Sequence, residues 1–179
     1  MKAQAMDKKS LKMQESAYRK VVQDAASAWP SECCGALLGR SVDGQEMVCE
    51  AVLAAGAETT TGADFFRIGA RDMVAFHARA VLNQWEILGF YHSHPGALAV
   101  PSNADLPREI GDVAMQNGAT WPEHCLLIAS TRNGSCGEIR AWRLTANAND
   151  IETSNIRYEP LEIEIIAAQT QECRDSAGK

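Results

Sequence analysis

The chain has no C-x-x-C pair among its six cysteines, no run of apolar residues near bilayer length, and no cluster of lysine and arginine. Each absence removes a class. Without paired cysteines, neither a zinc knuckle nor a thioredoxin motif is available. Without ~20 consecutive apolar residues, no helix is expected to span a bilayer. The opening MKAQAMDKKSLKMQ also lacks the apolar centre of a secretory signal. A cytoplasmic protein with no membrane partner is therefore expected, and in a reducing compartment its cysteines should be free thiols. A net charge of -6 argues against nucleic acid, because phosphate binding needs a concentrated basic surface.

What is present describes an ordinary globular domain. Hydrophobic residues make up 46% and charged residues 22% of 179. That length fits one domain over residues 1–179, with a core from about 11 to 144 and a disordered tail from about 170. No internal repeat is visible.

Apolar spacing predicts a helix over residues 15–28, with Tyr18, Val21, Val22, Ala25 and Trp29 on one face and Pro30 ending it. A second helix is expected over residues 70–84, burying Met73, Val74, His77, Ala80 and Val81, with His77 as a core histidine. A third should start near Ser102. Strands are expected at 11–13, 33–39, 46–54, 65–68, 86–92, 126–130, 139–144 and 161–166. Asp43-Gly44 and Asn133-Gly134 mark hairpin turns. The last strand, LEIEII, alternates as an edge strand would. The stretch 55–63, AGAETTTGA, reads as a mobile loop. Strands interleaved with helices and returning as hairpins give a mixed sheet, not a doubly wound parallel one.

Four histidines occur, and two of them, His92 and His94, sit two apart at a strand's end. Side chains at i and i+2 of a strand point the same way, so both imidazoles can reach one ion. Asp105 adds a carboxylate. Two histidines, a carboxylate and one open position describe a catalytic rather than a structural zinc site. Zinc lowers the pKa of a bound water to about 7. Taken alone, each part has a plainer meaning. An H-x-H pair is more often a surface feature, and Ser102-Asn103-Ala104-Asp105 reads as a capping box. Glu32, ahead of an apolar strand, is by itself a solvated edge residue; beside such a water it becomes a general base.

Read together, the residues resemble the JAMM (MPN-plus) metallopeptidase family, and within it the compact prokaryotic branch. The family pattern is a distant glutamate, then H-x-H-P, six residues, and S-x-x-D. Here Glu32-Cys33-Cys34-Gly35 precedes His92-Ser93-His94-Pro95, six residues, and Ser102-Asn103-Ala104-Asp105. The resemblance spans about residues 11–144. It implies an α/β fold of the α+β type: a curved mixed sheet flanked by helices, with the layering of cytidine deaminases. It implies one Zn2+ per chain on His92, His94 and Asp105, with Glu32 as acid and base. It implies Ser102 as an oxyanion donor, a role in which one donor is worth about 3–4 kcal/mol. It also implies hydrolysis of an amide bond after the C-terminal Gly-Gly of a ubiquitin-like or sulfur-carrier protein. The segments 55–63 and 95–101 are expected either as walls of the groove for that tail or as plain connections. Cys34 is expected either as a small core residue or as a neighbour that modulates the metal. Two other readings stay open: an inactive scaffold of the same fold, and a zinc amidohydrolase of small molecules. A homodimer is compatible with the sequence.

Overall fold

The computed structural model describes residues 10–56, 58–59, 66–102, 105, 124–145 and 157–167. In chain order the elements are β1 (Ser10–Gln14), α1 (Glu15–Ala28), β2 (Cys34–Val42), β3 (Gln45–Leu53), β4 (Glu58–Thr59), β5 (Phe66–Arg67), α2 (Ala70–Leu82), β6 (Glu86–Pro95), β7 (Cys125–Arg132), β8 (Ser135–Thr145) and β9 (Arg157–Ile166). Both turn signals are used. Asp43-Gly44 and Asn133-Gly134 take positive φ, which matches the twist of a tight hairpin.

Seven strands pair in the order β1-β3-β2-β6-β7-β8-β9 and close on themselves, while β4 and β5 form a separate two-stranded sheet. The sheet is mixed, as expected: β1–β3, β1–β9 and β6–β7 are parallel and the other neighbours antiparallel. One expectation is corrected here. The LEIEII strand is not an edge, because β9 pairs with β8 on one side and β1 on the other. Closure gives it two neighbours although its alternation is that of a half-exposed strand.

The sheet separates two cores. Leu11, Met13, Leu37, Val48, Tyr91 and Leu127 pack with Ala17, Val21 and Ala25 of α1. On the opposite face, Cys34, Ala36, Leu38 and Phe90 pack with Phe76 and Ala80 of α2. Gly35 is needed between them. A Cβ there would run into the Val52 carbonyl and the Tyr91 ring.

The α2 face is also corrected. Phe76 and Ala80 are buried, whereas Val74, His77 and Val81 face solvent. Two apolar stripes lie about 100° apart on this helix, and the sheet takes the one carrying the phenyl ring. Cys33, Cys34, Cys125 and Cys136 are free thiols. Cys49 is disulfide-bonded, against the expectation of free thiols throughout. Which cysteines approach within bonding reach is set by the fold, not by spacing along the chain. Within the expected 55–63 loop, Glu58–Thr59 pairs with Phe66–Arg67. The expected third helix and the C-terminal tail lie outside the described residues. Among the described residues, no helix is long and apolar enough to cross a membrane.

Candidate metal centre

Strand β6 carries the site. Its alternation sends Tyr91 and Ser93 toward the α1 side and Phe90, His92 and His94 toward the other. The strand runs three residues further than expected, to Pro95, in parallel register with β7 through His94↔Ser130 and Pro95↔Thr131. Pro95 stands last, where the chain leaves the ladder.

His92, His94 and Asp105 converge. His92 Nε2 lies 3.0 Å from Asp105 Oδ1, His94 Nε2 lies 3.7 Å from Asp105 Oδ2, and the two Nε2 atoms are 2.8 Å apart. Zinc bonds of ~2.0–2.1 Å in a tetrahedron put neighbouring donors ~3.3 Å apart, and the three separations bracket that value. All three residues are buried, at 1, 9 and 5% exposure, so the donors face one another and not water. The donor set and its spacing fit zinc.

Hydrogen bonds behind the donors fix their orientation. His94 Nδ1 pairs with the Leu98 carbonyl at 2.9 Å. A carbonyl only accepts, so Nδ1 carries the proton and Nε2 is left bare for a metal. Asp105 is held by the Ser102 backbone N–H, which donates to Oδ2 at 2.6 Å, and the Asp105 N–H donates back to the Ser102 carbonyl at 3.1 Å. Tyr158 Oη donates to the Asp105 carbonyl at 2.7 Å. Burial alone would raise the Asp105 carboxyl. The hydrogen bond and charge of His92, then the Ser102 N–H and hydroxyl, outweigh burial and hold it at about 2.

Glu32 sits in the short segment between α1 and β2, two residues before the Cys34↔His92 pair where β2 and β6 join. It lines a cavity of about 260 Å³ with His94, Ser102 and Asp105, under walls made by Pro95, Ala97, Leu98, Val100 and Pro101. Five residues of the 95–101 segment thus border this cavity; most of 55–63 lies outside the described residues. Cys34 pairs in register with His92 but packs into the α2 core, buried, as the small-residue reading expects. Burial first, then the charges of Cys33, Asp72 and Glu32, push its thiol far up.

Three contributors were not legible in the sequence. Ser93 points away from the donors and bonds the Cys33 backbone on both sides. Trp142 Nε1 donates to the Ala99 carbonyl at 3.2 Å and pins the 95–101 segment onto β8. Tyr158 reaches Asp105 across 53 residues. Only Ser93 had a local signal: it lies between two residues of opposite facing.

A model of the family described as prokaryotic homologs of the JAB domain matches residues 14–145. Among solved structures, the chain is similar to protein DSY2949 from Desulfitobacterium hafniense, with 20% identity and a TM-score of 0.65, over 88% of this chain and 93% of that one. It is also similar to a protein from Salinibacter ruber, with 27% identity and a TM-score of 0.56, over 85% and 91% of the two chains. No curated protein matches the sequence.

Proposed function

The chain belongs to the family of prokaryotic homologs of the JAB domain, and from that premise we propose that it is a zinc-dependent peptidase. Its substrate in this reading is the amide bond after the C-terminal Gly-Gly of a ubiquitin-like or sulfur-carrier protein. The observation that carries the reading is the convergence of His92, His94 and Asp105 at donor spacing, beside a cavity that His94, Asp105, Glu32 and Ser102 line. A scaffold has no use for an oriented donor set beside a general base.

When bound, zinc supplies a Lewis acid and a water acidic near neutral pH. Every other part of the chemistry belongs to the chain. His92, His94 and Asp105 hold the ion. Glu32, at the cavity, takes the water proton and passes it to the departing nitrogen. The Ser102 hydroxyl, held on Asp105 in the free protein, also serves the oxyanion. The pinned 95–101 segment supplies a narrow wall, and a Gly-Gly tail without side chains fits beside it in extended form.

The test is direct. Purified protein should carry roughly one zinc per chain. It should release the residues that follow Gly-Gly on a ubiquitin-like carrier, read by mass spectrometry. Glu32→Gln should lower turnover by about 10²–10⁴ while keeping the metal. Protein that takes up no zinc under metal-replete conditions, or a Glu32→Gln variant with full activity, would end this reading.

A further inference from the structure

A second cavity, of about 450 Å³, adjoins the first. It is lined by Gly96, Ala97, Leu98, Ser130, Thr131, Arg132, Ser135, Cys136 and Gly137. That volume is within the range of ligand sites. Ala97 and Leu98 line both cavities, so the 95–101 segment is a partition with one space on each side. The partition is fixed at three points: Gly96 N–H donates to the Thr131 carbonyl at 2.7 Å, His94 Nδ1 to Leu98 and Trp142 Nε1 to Ala99. Leu98 itself is 73% exposed at its crest.

The two spaces differ in charge. The first holds the carboxylates of Glu32 and Asp105 and, among the described residues, no lysine or arginine. The second holds Arg132, the one lysine or arginine among the described residues lining either cavity. The register places Arg132 two residues beyond Ser130, the partner of His94. With a rise of ~3.3 Å per residue and ~4.8 Å between strands, the His94 and Arg132 backbones lie roughly 8 Å apart. An arginine side chain spans much of that gap.

We propose that the second cavity receives the released end of the substrate and that Arg132 binds its free α-carboxylate. The protein would then cut one of the last peptide bonds of a tail. This inference rests on the peptidase reading above and names the substrate class within it. Hydrolysis adds one water across the C–N bond. The oxygen joins the glycine carbonyl carbon, and the proton passes through Glu32 to the departing nitrogen. The released piece carries an ammonium and a carboxylate a short distance apart. The ammonium falls to the acidic cavity and the carboxylate to the cavity with Arg132. A substrate whose cut bond lies in mid-chain or on a lysine side chain brings no such carboxylate.

The test uses a ubiquitin-like carrier ending Gly-Gly-Ala, prepared once with a free terminal carboxylate and once as the primary amide. Affinity is measured calorimetrically on the zinc-loaded Glu32→Gln protein, and cleavage on the unaltered protein by mass spectrometry. The acid should bind at least tenfold tighter than the amide. Arg132→Gln should bring the affinity of the acid down to that of the amide, with no fall in melting temperature. Equal affinity of acid and amide, or an Arg132→Gln variant that still prefers the acid, overturns the carboxylate site. The peptidase reading survives that result as long as both carriers are cut. Cleavage of neither carrier overturns the peptidase reading and this inference with it.

Discussion

Ser93 and Cys33 exchange two hydrogen bonds: the Cys33 N–H donates to Ser93 Oγ at 2.9 Å, and the Ser93 N–H donates to the Cys33 carbonyl at 3.0 Å. Ser93 is fully buried and stands between the two histidines of the site. Cys33 is the residue next to Glu32. The pair therefore ties the segment of Glu32, the general base of the proposed mechanism, to the strand that carries His92 and His94. Ser93→Ala leaves the buried Cys33 N–H without this acceptor, at a cost of about 1–3 kcal/mol. We expect a lower melting temperature and a kcat reduced by about tenfold, with zinc content unchanged. Unaltered kcat in a folded Ser93→Ala protein would show that the clamp does not position Glu32.

The donor set predicts a different pattern for its own members. His94→Ala and Asp105→Ala each remove one of the three candidate donors. Zinc content measured by emission spectroscopy should fall close to zero in both, and added zinc should no longer raise the melting temperature. For the unaltered protein, zinc at 100 times its dissociation constant should add about 2.7 kcal/mol. Retention of full zinc by Asp105→Ala would remove that carboxylate from the site.

Tyr91 lies one residue from His92 but on the opposite face. Its Oη donates to Asp24 Oδ2 of α1 at 2.7 Å, and Asp24 also pairs with Lys20. Tyr91→Phe removes a buried donor to a carboxylate and should cost about 1–3 kcal/mol. In a chain of this size, that is a fall of several degrees in melting temperature. Zinc content should not change. A variant with normal stability and lost zinc would invert this assignment of faces.

Alkaline pH should destabilise the protein through Cys33. Burial pushes its thiol up from about 9 to about 11, although the Ser93 hydrogen bond works the other way. Below about pH 9 both folded and unfolded chains keep this proton. Between 9 and 11 only the unfolded chain releases it, so the stabilisation is lost as pH rises through that window. The loss from Cys33 is on the order of 2–3 kcal/mol. Denaturant melts at pH 8 and pH 11 measure it. Cys33→Ala should flatten part of the decline, and an unchanged slope in that variant would rule the thiol out.

Much of the frame was legible along the chain because it depends on short-range effects. The first helix was read with the bounds it has, since Pro30 and apolar spacing act locally. Both hairpin turns followed from Asp-Gly and Asn-Gly, whose φ values few other pairs tolerate. Errors arose where a choice depended on a distant surface. Met73, Val74, His77, Ala80 and Val81 were assigned to the core; Ala80 and Met73 do pack there, but α2 turns Phe76 inward with them and leaves Val74, His77 and Val81 exposed. The last strand read as an edge, because alternation reports burial on each face and not how many neighbours a strand has.

The sequence by itself determined the identity of the donors and their common face: His92 and His94 must point together in any strand, and their interval to Asp105 is written in the chain. The end of that strand was read three residues early, at His92, and the pairing with β7 carries it on to Pro95. Only the tertiary structure decided that these groups meet. The β2–β6 pairing and the Ser93–Cys33 bonds bring Glu32 to the cavity across some 60 residues. Tyr158 braces Asp105 from β9, and β7 supplies Arg132 behind the pinned segment. The physical reason is range. Backbone preferences and side-chain alternation act within a few residues, whereas an ion site needs donors a few ångströms apart in space, and only a closed and packed sheet sets that distance.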